Sequence, residues 1–225
     1  MHVVLSIGGS AVMPGGKPNI KLLKELASLF KKSRNDFAIV VGGGPPARTY
    51  ANAARELGAN EFDADSIAIM STKQNAKLLL AALGDMAPSD VIHDFEGARE
   101  AAKAYKVVVM GGTIPGITTD TDSVLLAEAI GAKRLVNVSN VTGIYDSDPR
   151  KSKKAKKFDK LSYDQLISLA MSSDKRKAGT HFVFDLLACK LIARSGIETH
   201  FVSWDNTKEI SAAIEGKKHK GTVVK

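Results

Sequence analysis

Short apolar runs alternate along this chain with longer segments whose apolar residues recur every three or four positions. Residues 3–7 and 37–41 are nearly continuous in Val, Leu, Ile, Phe and Ala, the pattern of strands buried on both faces. Val107–Met110, 135–139 and 198–202 read the same way, with 91–93 as a shorter strand and Thr222–Val224 as an edge strand. Ile20–Lys32 places Leu22, Leu23, Leu26, Leu29 and Phe30 on one stripe, which predicts an amphipathic helix. Further helices are expected at 45–57, whose opening prolines suit only a first turn, and at 65–83, 95–105, 123–130, 182–194 and Thr207–Ile214. Ser162 and Gln165 have capping-box spacing for a short helix to residue 169, and Gly196 is placed to stop the helix before it. With no internal repeat and no long linker, this alternation predicts one α/β unit on a mostly parallel sheet, loosely split near 120–135.

Composition narrows the class. At 225 residues, 44% hydrophobic and 25% charged, the chain is long enough to bury about 70% of its unfolded surface. The single cysteine, Cys189, excludes an internal disulfide and a cysteine-based zinc cage, and it suits a reducing, cytoplasmic setting. Nothing approaches the roughly 20 apolar residues of a membrane span, and the N-terminus reads as a strand rather than a secretory leader. The net charge of +8 favours acidic partners, either nucleic acid or small phosphorylated molecules, without choosing between them.

In open α/β sheets ligands bind beyond the carboxyl ends of the strands. Three of those ends are rich in glycine: Gly8-Gly9-Ser10, Gly42-Gly43-Gly44 and Gly111-Gly112-Thr113. One such loop serves packing as readily as binding, because glycine tolerates tight turns and close backbone approach. Three on one edge, leading into helices whose N–H groups attract anions, suggest several phosphates. No loop continues into Gly-Lys-Ser/Thr, so a Walker A reading fails. Gly42, Gly44 and Ala47 match the dinucleotide fingerprint, with Glu61, Asp63 and Asp65 about 20 residues on. Those acids do not end a β run, which disfavours that reading.

Thr118-Thr119-Asp120 follows the third loop: its carboxylate, beside two hydroxyls, could organise groups around phosphates, or Thr119 or Asp120 could simply cap the helix expected from 123. Ser139-Asn140 through Tyr145, then Asp148-Pro149, could contact a base and ribose, or simply form an Asx-rich turn. The five histidines are scattered; His181 and Asp185, four apart, fit a cap or surface pair rather than a metal site. Cys189 lies on an apolar helical face and reads as a core thiol. Residues 150–160 carry seven basic side chains with Phe158 as the one aromatic, the composition of a solvated loop more than of a nucleic-acid patch.

These loops, in this order, resemble the amino acid kinase superfamily and, within it, the archaeal-type UMP kinases. The likeness is collinear from residue 3 through the segment 177–180 and the helix at 182–194, and the combination of Asp65 with Gly-Gly-Thr-x-Pro-Gly-x-Thr-Thr-Asp points to UMP. The resemblance implies a three-layer αβα sandwich, with residues 1–130 on the acceptor side and 131–225 on the ATP side. It implies transfer of the γ-phosphoryl group of ATP to UMP with Mg²⁺, in a protein that is usually a hexamer. By position, Gly8, Gly9, Ser10, Gly44 and Arg48 would hold the ATP phosphates, and Ser139, Asn140, Tyr145 and Asp148 its adenosine. Gly43, Asp65, Thr113, Ile114, Pro115, Gly116, Ile117, Thr118 and Thr119 would hold UMP, with Asp65 on the ribose hydroxyls. Asp120 matches the organising aspartate and, with Arg48, is the expected catalytic pair; no protein side chain is assigned to the metal.

The chain departs from that pattern in places. Ser6 stands where many members carry lysine, Pro45 where a basic residue often follows the second loop, Ile114 and Ile117 at positions often histidine, and Thr142 at a usual aspartate. Positive charge over the β–γ bridge then falls to Arg48, Mg²⁺ and Lys73 or Lys177.

Overall fold

In a strand successive side chains face opposite ways, so strands apolar at every position require a helical layer on each face. The computed structural model, which describes residues 2–149, 152, 154–174 and 184–225, has that arrangement. Its strands are β1 (His2–Ile7), β2 (Asp36–Val41), β3 (Val107–Met110), β4 (Arg134–Ser139), β5 (Lys160–Leu161), β6 (Glu198–Ser203) and β7 (Thr222–Val224). Its helices are α1 (Gly9–Val12), α2 (Ile20–Lys32), α3 (Gly44–Glu56), α4 (Glu61–Leu83), α5 (Phe95–Ala101), α6 (Thr119–Ile130), α7 (Tyr163–Asp174), α8 (Leu186–Ser195) and α9 (Thr207–Ile214). Val3, Leu5, Ile7, Ile39 and Val138 pack with residues of α2, α4 and α9. Val4, Val40, Met110 and Leu135 pack on the other face, with residues of α6 and α8. The three-layer α/β sandwich expected from the resemblance is thus present.

The seven strands form one sheet in the order β3-β2-β1-β4-β6-β7-β5. All neighbours are parallel except β6 and β7. From β1 the chain steps outward to β2 and β3, then returns to place β4 on the other side of β1. The gap between the carboxyl ends of β1 and β4 is therefore the switch point at which open α/β sheets bind ligands.

Several elements differ from the patterning. The helix expected at 65–83 begins at Glu61, because the Asn60 side chain accepts from the Asp63 amide at 2.9 Å and caps it. Glu61, Asp63 and Asp65 therefore lie on a helix, which removes the dinucleotide reading. The helix expected from 123 begins at Thr119, and that from 95 ends at Ala101. The strand at 91–93 reduces to a single bridge between Ile92 and Met110. Residues 182–183 lie outside the described residues, and α8 starts after Asp185, whose carboxylate accepts from the Ala188 amide at 2.9 Å. Thr222–Val224 is not an edge: it lies between β6 and the two-residue β5. Gly196 does end α8 in the left-handed conformation, and the Ser162–Gln165 capping box forms in both directions.

Candidate active site

The first two glycine loops meet backbone to backbone at the switch point. Gly8 donates to the Val138 carbonyl at 2.9 Å and Gly42 to that of Ile7 at 2.9 Å, which carries the β1 register into the loops. A Cβ on Gly9 would lie 2.0 Å from the Gly44 nitrogen, and one on Gly44, already at φ +68°, 2.5 Å from the Gly9 carbonyl oxygen. Side chains cannot occupy these positions, so glycine here is a packing requirement as well as an opening for ligand. Asn75 of α4, buried, donates to the carbonyls of Gly42 at 2.8 Å and Gly43 at 3.0 Å, fixing the second loop from below. Neither α1 nor α3 is capped by a side chain among the described residues, so amides at both helix starts remain open to an anion. Pro45 and Pro46 remove two of those amides from the first turn of α3. Arg48, one turn into α3, is exposed, and among the described residues no carboxylate pairs with it.

Asp120 lies beside the switch point, near the start of α6. Ser6 of β1 and Asn137 of β4 are direct partners in register, and their side chains converge on its carboxylate. The Ser6 hydroxyl and the Asn137 amide each donate to Asp120 Oδ1 at 2.9 Å. Loss of hydration pushes the Asp120 carboxyl up to about 7; the Ser6 bond opposes this, nearby Asp185 adds to it, and Asn137 opposes it. Asn137 Oδ1 is buried with no hydrogen-bond partner. A neutral hydroxyl thus sits where a lysine would have balanced the acid.

The third glycine loop and residues 113–119 are held at four points. The Gly112 amide donates to Thr72 Oγ1 of α4 at 2.7 Å. The Thr113 hydroxyl donates to Asp122 Oδ1 at 2.6 Å. The Gly116 amide donates to Asp65 Oδ2 at 3.0 Å. The Thr118 hydroxyl donates to Asp185 Oδ2 at 2.5 Å, and Thr121 reaches the same carboxylate at 3.0 Å. Thr118, rather than Thr119 or Asp120, is the N-cap of α6, its oxygen accepting from the amides of Asp120 and Thr121. Ile114 is 59% exposed at the tip of this loop, with Pro115 and Ile117 half-buried beside it. The stem of Lys73 runs against Gly111, where a Cβ would lie 3.0 Å from Lys73 Cγ. Lys177 and His181 lie outside the described residues.

The fourth strand end forms a turn of its own. Ser139 Oγ closes it against Val141, while Asn140 is exposed. The Tyr145 hydroxyl is 2.6 Å from that of Thr142, and the Asp148 carbonyl accepts from the Ser152 amide at 2.9 Å. Thr222 Oγ1 accepts from the Ile144 amide at 2.9 Å and docks the turn on β7. Phe158 packs into the α6/α8 face of the core, and Lys157 is spent on Asp159 and the Gly221 carbonyl, so the basic stretch presents no aromatic stacking platform there. Cys189 is buried and burial pushes its thiol up, as a core residue.

Ser6, Thr72, Asn75, Asn137, Asp122 and Asp185 complete this constellation, and none of them stands in a glycine motif. Thr72 and Asn75 had a signal: polar residues three apart on an otherwise apolar helical stripe. The rest depend on strand register and helix packing.

Glycine loops at a parallel-sheet switch point, with an aspartate at the start of a facing helix, form an anion-binding α/β site, and residues 1–203 match the amino acid kinase family, to which this chain belongs. The sequence is 45% identical to the uridylate kinase of Thermococcus kodakarensis, covering all of this chain and 99% of that protein. The crystal structure of uridylate kinase from Archaeoglobus fulgidus superimposes with a TM-score of 0.89 at 41% identity, each chain covered in full. The fold extends to UMP kinase from Bacillus anthracis, with a TM-score of 0.81 at 22% identity over 99% of this chain and 95% of the other.

Proposed function

We propose that this protein is a uridylate kinase that transfers the γ-phosphoryl group of ATP to the phosphate of UMP, giving UDP and ADP. The observation that carries this reading is full-length likeness, in sequence and fold, to proteins of that name. A UMP phosphate oxygen attacks the γ-phosphorus as the bond to the β–γ bridging oxygen breaks. Such transfer is mainly positioning and charge neutralisation. The acceptor, with a second pKa of about 6, is already mostly a dianion at neutral pH and needs no general base. That suits a site whose glycine loops contain neither His nor Glu.

Gly9, Ser10 and Gly44 hold the ATP phosphates through the open amides of α1 and α3, while Gly8, its amide held by Val138, lets the backbone come close, and Arg48 supplies charge. Ser139, Asn140, Tyr145 and Asp148 hold adenosine. Gly43, Asp65 and residues 113–119 hold UMP; Asp65 turns from the Gly116 amide towards the ribose hydroxyls or serves both. Asp120 organises the centre through Ser6 and Asn137. No group of three or more acidic, His or Cys side chains among the described residues could cage a metal, and oxygen donors at Asp120 and Asn137 suit a hard cation arriving with the nucleotide. Mg²⁺ bound to ATP would supply the charge neutralisation that Ser6 does not. Residues 1–130 form the acceptor side and 131–225 the ATP side, in a cytoplasmic homo-oligomer, expected as a hexamer. Among the described residues no helix is long and apolar enough to cross a membrane.

The test is ADP release from Mg·ATP with UMP, CMP, AMP, carbamate and isopentenyl phosphate as acceptors, for the wild type and Arg48→Ala. Turnover with UMP alone, and a kcat reduced at least about tenfold in the variant, is the expected result. ATP binding without turnover on any acceptor would make this a silent nucleotide-binding subunit, and an unchanged kcat would remove Arg48 from the mechanism.

A further inference from the structure

Asp122 is a buried carboxylate that no step of the proposed transfer uses. It lies in the first turn of α6, and both its oxygens are spent on one neighbour. The Thr113 hydroxyl donates to Oδ1 at 2.6 Å and the Thr113 amide lies 3.3 Å from Oδ2. Burying an acid costs far more than burying a neutral acceptor that could meet the same two donors. Among the described residues no cation forms an ion pair with it. Of the charged groups on elements packed against α6, Asp185 is the one that acts on it, unfavourably. The acid is thus maintained at a cost, and among the described residues its side-chain hydrogen bonds go to the first residue of the loop assigned to UMP.

We infer that Asp122 is a positioning residue for the acceptor nucleotide, acting through Thr113. By holding both the amide and the hydroxyl, it fixes the start of the 113–119 loop, whose later points are held by Asp65 and Asp185. It also claims the hydroxyl hydrogen, so Thr113 Oγ1 meets a ligand only as an acceptor. The inference rests on the uridylate kinase reading above.

The experiment is steady-state kinetics on the whole protein at one neutral pH, varying UMP and ATP separately, for the wild type and Asp122→Asn. The variant is expected to raise the KM for UMP about tenfold, the size of one charge-assisted hydrogen bond, with the KM for ATP within about twofold. An equal loss towards UMP and ATP, or no change, would overturn the inference. If Asp122→Asn does not fold, Thr113→Val read in the same way replaces it, and a wild-type KM for UMP in that variant overturns the inference equally. A wild type that fails to phosphorylate UMP removes the functional reading and the inference together; an active wild type with an indistinguishable variant removes the inference alone.

Discussion

Asp120 is held by two neutral donors where an ion pair would be the usual partner, and that choice has a thermodynamic signature. Its carboxyl is raised to about 7 in the folded protein, against about 3.9 for a free aspartate. The folded state therefore binds this proton more tightly than the unfolded chain, so stability is present at acid pH and lost as pH rises from about 4 to about 7. Asp120→Asn keeps the shape and removes the charge. Its melting temperature at pH 7.5 should exceed that of the wild type while kcat falls at least about a hundredfold; both are read from thermal unfolding and ADP release. An inactive variant that is also less stable would mean that the acid is not strained by its neutral surroundings. The family resemblance, carried by the motif after the third glycine loop, is what marks Asp120 in the sequence. Its partners escape that reading, because Ser6 and Asn137 meet only through the pairing of β1 with β4.

Among the elements, the one whose role patterning understates is α4. Its apolar stripe predicts a core helix, yet Thr72 and Asn75 on that stripe hold the third and second glycine loops. At the opposite end of the sheet, β6 and β7 are tied by a line of donors. The Gly221 amide donates to His219 Nδ1 at 3.0 Å, His219 Nε2 is 2.7 Å from His200 Nδ1, and His200 Nε2 is 2.9 Å from Glu198. Each ring nitrogen has one role only when both rings are neutral. Burial lowers His200 to about 4, with Glu198 opposing and His219 assisting, while Arg134 and Lys225 face the same glutamate. A free histidine titrates at about 6.5, so this contribution is whole above that pH and is lost as pH falls from about 6.5 to about 4. In His200→Gln the fall in melting temperature across that window should be smaller than in the wild type. An equal fall would place the acid sensitivity elsewhere.

At the scale of the whole molecule, the most exposed large apolar side chains among the described residues lie on one pair of helices. α3 and α4 pack through small residues, Ala51, Ala54 and Ala64, which turns their large side chains outward. Tyr50 is 60%, Leu57 88%, Phe62 66% and Met70 64% exposed, a face that self-association would cover. Phe62→Asp should shift the protein towards a smaller species in sedimentation velocity with its melting temperature nearly unchanged; a wild type already monomeric would remove the proposed oligomer. The sequence by itself determined the alternation of buried strands and helices and the three glycine loops at one sheet edge. Those features are local: apolar spacing selects the element, and backbone crowding demands glycine within a few residues of the turn. Tertiary structure alone decided the antiparallel β7 inside the sheet, the anchoring of the loops by Thr72 and Asn75, the pairing of Asp122 with Thr113, and the neutral surroundings of Asp120. Ser6 and Asp120 are 114 residues apart in the chain and 2.9 Å apart in space. Contacts of that kind depend on strand register and on how helices seat against the sheet, which the residue types at the two positions do not encode.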